Sequence, residues 1–203
     1  MNTKKLGWRD LVKQWPCLSP DECKDIIEFF KIAEANGEVK PVEVYHHVGE
    51  KTQSENRVGD VYELPDESKL PHWRKIRDRL ISYNEHTENF NLNGKYQINI
   101  LRYPVGGWFK RHKDGQLDLD HRLNLDSERK ISATIQLSNK EDYNGGELVI
   151  TTEKTKEGSR GQPATKKQGD IIMFPSYIDH QVNKVVRGER YSVVIWAYGP
   201  PWK

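Results

Sequence analysis

The chain has 203 residues, of which 32 are basic and 30 acidic, so its formal net charge is only +2. This length can bury one sizeable core and is short for two, which predicts a single domain over residues 1–203. The charge balance excludes a generally basic nucleic-acid-binding protein but leaves a local basic patch open. The first residues lack the apolar core of a signal peptide, and no stretch approaches the ~18 apolar residues of a membrane span, so we expect a soluble cytoplasmic protein with no membrane partner.

The first half of the chain, about residues 1–90, predicts helices that support a later β-structure. In LSPDECKDIIEFFKIAEANGE, Ser19 is the expected N-cap, Pro20 the first helical residue and Glu22 the partner that closes a capping box. Cys17 and Cys23 are the only cysteines. Two cysteines make neither a zinc cluster nor a disulfide framework, so we expect both to be reduced and structural.

A second helix is predicted in LPHWRKIRDRLISYNEH, where the apolar face would contain Trp73, Ile76, Leu80, Ile81 and Asn84. Its other side is basic. That side would either be solvated or contact an acidic partner, and the solvated interpretation is the simpler one.

From Lys95 onward the sequence pattern becomes typical of β-strands. Short runs rich in Ile, Val, Thr and aromatic residues alternate with Gly, Pro, Asn and Asp, which predicts strands without helices between them. A mainly β protein of this kind is a sandwich, barrel or jelly roll. Between two of these strands, KTKEGSRGQPATKKQG (154–169) is expected to be a mobile basic loop, and a second flexible segment is expected around 47–60.

The stretch WFKRHKDG contains the first candidate metal ligands. Residues i and i+2 of a strand point to the same side, so His112 and Asp114 would present an imidazole and a carboxylate together. A third ligand is available in His180, which follows the apolar run DIIMF. Two histidines and one carboxylate form the facial triad of non-haem iron(II), which leaves coordination positions open for a 2-oxo acid and dioxygen.

A cationic anchor for such a 2-oxo acid lies ten residues further on. In RYSVVIW, Arg190, Ser192 and Trp196 share one face, and Tyr103 precedes the His112 region on another strand. The guanidinium of Arg190 suits a bidentate pair with a carboxylate. Each feature has an ordinary explanation when taken singly, and their joint occurrence in the β half favours the iron site.

These residues make the chain similar to a known family. The segments LRYPVGGWFKRHKDG, RKISATIQLSNKEDYNGGELVI and QGDIIMFPSYIDHQVNKVVRGERYSVVIWAYGP resemble the iron(II) and 2-oxoglutarate-dependent dioxygenases. Within them they are most similar to the prolyl 4-hydroxylase-like branch, which includes PKHD-type hydroxylases. The resemblance covers about residues 96–199 and implies a double-stranded β-helix, or jelly-roll (cupin-like), core over about 95–200.

The resemblance also implies roles for individual residues. It gives His112, Asp114 and His180 the iron-ligand positions and Arg190 the position that binds the far carboxylate of 2-oxoglutarate. The remaining expected pocket residues are Tyr103, Ser192, Leu137 and Leu148 on the cofactor side, and Trp196 and Arg57 on the substrate side. The implied cofactors are Fe(II) and 2-oxoglutarate, with ascorbate as a further candidate.

The expected reaction is hydroxylation of a C–H bond, with a proline-containing peptide or protein as the favoured substrate. Two alternatives stay open: oxidative dealkylation of nucleic acid, supported by the basic segments, and a jelly roll that binds a metal or ligand without turnover. The sequence ends at Lys203, directly after the last predicted strand, so we do not expect the C-terminal extension of PKHD-type relatives. The sequence indicates no oligomeric state.

Overall fold

The computed structural model describes residues 8–42, 44–45, 51–52, 56–115, 127–155 and 158–201. Part of the segment predicted to be flexible around 47–60 therefore lies outside the described residues. The helices are α1 (Trp8–Leu11), α2 (Pro20–Ala35) and α3 (Trp73–Glu85), with a 3-10 turn at Glu67–Lys69. Among the described helices, none has the length and apolar character needed to cross a membrane.

Helix α2 begins with the capping box that the sequence predicts. The hydroxyl of Ser19 accepts from the backbone N–H of Glu22 at 3.2 Å, and the carboxylate of Glu22 accepts from the N–H of Ser19 at 2.7 Å. The helix ends at Ala35, and Gly37 follows with a φ of +73°. Cys17 and Cys23 are both free and buried, which confirms their structural assignment.

The rest of the described chain is mainly antiparallel β-structure. The strands are β1 (Lys13–Pro16), β2 (Lys40–Pro41), β3 (Val44–Tyr45), β4 (Lys51–Thr52), β5 (Arg57–Val58), β6 (Asp60–Glu63), β7 (Tyr96–Tyr103), β8 (Trp108–His112), β9 (Glu128–Gln136), β10 (Asn144–Gly145), β11 (Leu148–Thr155), β12 (Gly158–Pro163), β13 (Asp170–Pro175), β14 (His180–Val182), β15 (Val185–Arg187) and β16 (Arg190–Gly199).

Two sheets form the body of the fold. The larger has seven strands in the order β1-β13-β9-β16-β7-β6-β2, and the smaller has five in the order β12-β11-β14-β8-β5. Strands that are distant in sequence pair side by side, as β16 does with β7 and β9. Side chains of both sheets meet in one buried cluster between them. This arrangement confirms the predicted mainly β jelly roll with N-terminal helices.

The larger sheet has two different faces because successive side chains point in opposite directions. Val193 and Ile195 pack on one side into an apolar cluster with Ile26 of α2 and Ile76 of α3. Arg190 and Ser192, on the same strand β16, point to the other side, toward the smaller sheet. The helices therefore cover one face, and the other face is left for a site.

Helix α3 buries a slightly different face from the predicted one. Ile76, Leu80 and Asn84 are buried as expected, but Ile81 is 39% exposed, and Tyr83 is buried instead. The phenol of Tyr83 explains the difference, since it donates a hydrogen bond to the carbonyl of Leu11 at 2.6 Å.

The expectation of a mobile loop over 154–169 is wrong for its first part. Strand β11 runs to Thr155, and Gly158–Pro163 pairs with it antiparallel as β12. Because β12 is an edge strand with a polar sequence, it lacks the apolar alternation by which strands are usually recognised.

Candidate active site

Three predicted metal ligands meet at one end of the space between the sheets. His112 is the last residue of β8, and it lies directly opposite His180, the first residue of β14, in the strand register. Asp114 lies in the bend that follows β8. One ligand atom from each of the three lies within 4.8 Å of the others. The structure thus brings together side chains that are up to 68 positions apart, although Asp114 lies beyond the strand on which it was expected.

Both histidines are held in the tautomer that suits metal binding. The Nδ1 of His112 lies 2.8 Å from the carbonyl of Lys110, and the Nδ1 of His180 lies 3.0 Å from the carbonyl of Ile178. A carbonyl can only accept, so Nδ1 carries the proton, and in the neutral ring Nε2 has a free lone pair. Burial lowers the pKa of His180, which favours that neutral ring.

The carboxylate of Asp114 faces both of these nitrogens. Its oxygens lie 3.4 Å from the Nε2 of His112 and 3.4 Å from the Nε2 of His180. Burial by itself would raise the pKa of Asp114, but its interactions with His180 and His112, when these rings are protonated, and with the guanidinium of Arg129 outweigh it, so the pKa is lowered. Lone pairs of two imidazoles and an ionised carboxylate therefore converge, and a bound cation is the group that this donor set fits.

Aromatic and apolar side chains enclose the metal-ligand trio. The ring of Phe109 stacks on that of His112 with centroids 3.6 Å apart, and Phe174 meets His180 edge-on at 4.8 Å. The guanidinium of Arg57 lies 4.3 Å from the centre of the Phe109 ring, and its Nε is buried without a hydrogen-bond partner. The structure therefore places Arg57 in the wall of the cavity, and its role on the substrate side, which the resemblance implies, stays a prediction.

Arg190 lies in the same cavity with no carboxylate beside it. It is 1% exposed, its Nη1 donates to the hydroxyl of Ser192 at 3.3 Å, and its Nη2 donates to the Oε1 of Gln136 at 3.0 Å. The Nε has no partner, and no described acidic side chain forms an ion pair with this guanidinium. A buried unpaired charge is costly, so the free guanidinium fits a ligand that brings its own carboxylate, as 2-oxoglutarate does.

A glycine makes room for Arg190. Gly146 has a φ of +64°, and a Cβ built there would lie 2.9 Å from Val185 and 3.1 Å from the Cδ of Arg190. The backbone conformation and the close approach both require glycine at this position.

Nearly all predicted site residues line this one cavity. Besides the metal-ligand trio and Arg190, the lining contains the predicted residues Tyr103, Ser192, Leu148, Trp196 and Arg57. Leu137 is different: it is fully buried in the apolar cluster under the helices. The reason is strand parity, because its neighbour Gln136 points to Arg190, and Leu137 must therefore point the other way.

Some lining residues were not foreseen. They are Leu101, Phe109, Thr134, Val182 and Val194. Gln136, behind the lining, was not foreseen either, and it accepts a hydrogen bond from Arg190. The run KISATIQ contained a usable signal, since polar Ser132, Thr134 and Gln136 alternate with apolar residues in a buried strand. Such alternation of polar residues indicates a face that lines a site.

Fold and cavity together define a jelly-roll protein in which two histidines and one carboxylate that could hold a metal ion share a cavity with a buried arginine. The family model for the 2OG-Fe(II) oxygenase superfamily matches residues 98–198, which contain all of these groups. The chain belongs to this superfamily, and within it the similarity is to the prolyl 4-hydroxylase-like members. The superfamily's cofactors are Fe(II) and 2-oxoglutarate.

Individual relatives agree with this assignment. A PKHD-type hydroxylase of Synechococcus sp. (strain JA-2-3B'a(2-13)) is 34% identical over 129 residues, which are 61% of this chain and 54% of the relative. The chain thus spans about half the length of the curated relatives it matches.

Solved structures share the fold over most of the chain. A Pseudomonas putida prolyl-4-hydroxylase superposes with a TM-score of 0.68 at 20% identity, covering 92% of this chain and 91% of that one. A prolyl hydroxylase of Trichoplax adhaerens, in complex with a hypoxia inducible factor oxygen degradation domain peptide fragment, superposes with a TM-score of 0.68 at 14% identity. The match covers 93% of this chain and 83% of that one.

Proposed function

We propose that this protein is an Fe(II)- and 2-oxoglutarate-dependent dioxygenase that hydroxylates a C–H bond of a proline-containing peptide or protein. The observation that carries the proposal is the pairing of two features in one cavity. One end has His112, Asp114 and His180, whose Nε2 and carboxylate lone pairs converge, and the wall has the guanidinium of Arg190, which is buried without a counter-ion among the described residues. In this proposal the N-terminal helices and the jelly-roll core form a single domain around the site.

In this proposal His112, Asp114 and His180 hold the iron. Iron and 2-oxoglutarate supply the oxidative chemistry, in which one oxygen atom of O2 enters the substrate as a hydroxyl and the other enters succinate as CO2 is released. Arg190 pairs with the far carboxylate of 2-oxoglutarate, and Ser192 and Gln136 keep its fork in position. Tyr103, opposite Arg190 in the register, offers its phenol as a further donor.

Leu148, Phe109 and Val182 keep the cavity apolar around these polar groups. An apolar wall excludes water from the reacting groups and strengthens the pairing of Arg190 with a carboxylate. Trp196 and Arg57 remain the residues proposed for the substrate side. Ascorbate stays a prediction.

The preference for a peptide over a nucleic acid rests on two points. The structural relatives include prolyl hydroxylases, one of them in complex with a peptide fragment. In addition, the basic helix α3 packs on the face of the larger sheet that points away from the cavity, since Ile76 and Leu80 belong to the cluster shared with α2. A strand of nucleic acid bound to α3 would therefore lie on the opposite side of the larger sheet from the metal site.

The test is anaerobic titration of the purified protein with Fe(II) and 2-oxoglutarate, followed by aerobic assay of succinate with proline-containing peptides. A weak visible absorption band that needs both components, and peptide-dependent succinate, would support the proposal. Arg190→Ala should need far more 2-oxoglutarate for the same band. Bound Fe(II) without a band, and no consumption of 2-oxoglutarate, would favour the non-catalytic jelly roll. Salt-sensitive binding of DNA or RNA together with turnover would favour dealkylation.

A further inference from the structure

Two buried serines lie directly behind the carboxylate of Asp114. Ser132, on β9 of the larger sheet, is 1% exposed, and Ser176, in the turn after β13, is fully buried. The hydroxyl of Ser132 donates to the Oδ2 of Asp114 at 2.7 Å, and the two serine hydroxyls are 2.9 Å apart.

The ionised carboxylate decides the direction of this hydrogen-bond chain. A carboxylate can only accept, so the proton of Ser132 must point to Asp114. The oxygen of Ser132 is then the acceptor for the proton of Ser176. The two hydroxyls form a chain that runs from Ser176 through Ser132 to Asp114.

Ser176 also holds the backbone of Asp114. Its carbonyl accepts from the N–H of Asp114 at 3.1 Å and from the N–H of Gly115 at 2.8 Å, while its own N–H donates to the carbonyl of Lys130 at 2.9 Å. A Cβ at Gly115 would lie 3.1 Å from the Cβ of Ser176, so the bend packs tightly against the turn. Asp114 is thus held at both its backbone and its side chain by the larger sheet.

We propose that Ser132 and Ser176 are positioning residues that orient the Asp114 carboxylate for metal binding. The inference rests on the proposed function, because it assumes that Asp114 is a metal ligand. Hydrogen bonds to a ligating carboxylate set its plane, and loss of such an outer contact typically lowers metal affinity by about 10–100-fold. Because Ser132 donates to Oδ2, it fixes the rotation of the carboxylate in which Oδ1 lies 3.4 Å from the Nε2 of His112.

Mn(II) is a suitable probe, because the electron paramagnetic resonance signal of the free ion decreases when the ion binds. The measurement therefore needs no turnover. Ser132→Ala should weaken Mn(II) binding about 10–100-fold, and Ser132→Thr, which keeps a hydroxyl, should restore most of it. Ser176→Ala should give a smaller loss in the same direction, since Ser132 then still donates to Asp114. Thermal unfolding of the metal-free variants shows whether each one is folded.

Thr151→Val is the matched control. Thr151 lies on β11 of the smaller sheet, is 1% exposed as Ser132 is, and does not line the cavity. Its loss of a hydroxyl should leave Mn(II) affinity unchanged.

The outcomes separate this inference from the proposed function. If the wild-type protein binds no Mn(II), both fail. If the wild-type protein binds Mn(II) and Ser132→Ala binds it equally well, only the positioning role is overturned. An equal loss in Ser132→Ala and Thr151→Val would also overturn it, because a general effect of removing a buried hydroxyl would then explain the data. Should Ser132→Ala fail to fold, an unchanged affinity in Ser176→Ala would overturn the chain of hydroxyls.

Discussion

The two faces of the larger sheet are built from the same strands, but one packs against the helices and the other lines the candidate site. Toward the helices, Ile98, Ile135 and Val193 pack in a continuous apolar cluster. Toward the smaller sheet, the residues between them include Asn99, Gln136 and Ser192, all of them polar and buried. Burying polar groups is unfavourable unless they are hydrogen-bonded. The difference indicates that stability is concentrated on one face and that the other face gives up stability for a site.

The sharpest way to separate the two faces is Asp114→Ala. We expect succinate formation to fall to the background rate, because one of three metal ligands is lost. The metal-free variant should lose about 1–3 kcal/mol of the free energy of unfolding, because the buried hydroxyl of Ser132 loses its acceptor. Succinate assays and thermal unfolding check the two halves. Full activity in this variant would refute the metal assignment.

The opposite result is expected from Ile195→Ala on the helix-facing side of β16. Ile195 is fully buried, so its truncation should lower the free energy of unfolding by about 2–5 kcal/mol. Denaturant titration measures this loss, and Mn(II) affinity measured below the unfolding transition should be unchanged. A loss of affinity in the folded variant would mean that the two faces are not separable.

Arg190→Gln tests the cavity face at its cofactor end. The half-saturating concentration of 2-oxoglutarate should rise about 10–100-fold, because hydrogen bonds to charged groups contribute ~1.5–3 kcal/mol. Mn(II) affinity should not change, since Arg190 does not contact the metal-ligand trio. An unchanged half-saturating concentration would contradict the anchor role.

The smallest effect concerns the cysteines on the helix-facing side. Burial raises the pKa of the Cys17 thiol to about 11 and that of Cys23 to about 12. Both thiols should resist iodoacetamide at pH 8 in the native protein and react after unfolding, as mass spectrometry can show. Because the folded pKa values are raised, the associated stability is complete below the ordinary thiol pKa of about 8.5 and declines as pH rises toward 11–12. Rapid labelling of the native protein would contradict this burial.

Much of the site could be predicted because its chemistry depends on residue types and parity. Arg190, Ser192 and Trp196 alternate along β16, and the structure places all three in the cavity. Parity also explains the failure at Leu137, whose sequence neighbour Gln136 occupies the cavity face. The alternation in KISATIQ predicts that Gln136 faces the cavity and that Leu137 faces away from it. The resemblance implied a pocket role for Leu137, and the parity of the strand overrides it.

Other features depend on contacts that no local pattern contains. Stacking of Phe109 on His112 and the hydrogen bond from Ser132 to Asp114 join residues whose proximity follows from strand pairing. The pairing of β12 with β11 is similar, because an edge strand needs little apolar surface. The sequence predicts the three candidate ligands, and the order of the strands determines what surrounds them.

The metal-ligand trio also has a mechanical consequence. His112 and His180 belong to the smaller sheet, whereas the groups that hold Asp114 come from β9 of the larger sheet and from the turn after β13. The site therefore lies between the two sheets and depends on groups from both, and an ion bound there would link them. Any sliding of one sheet over the other would change the distances between the ligands, so we expect separation of the sheets to be coupled to release of the ion.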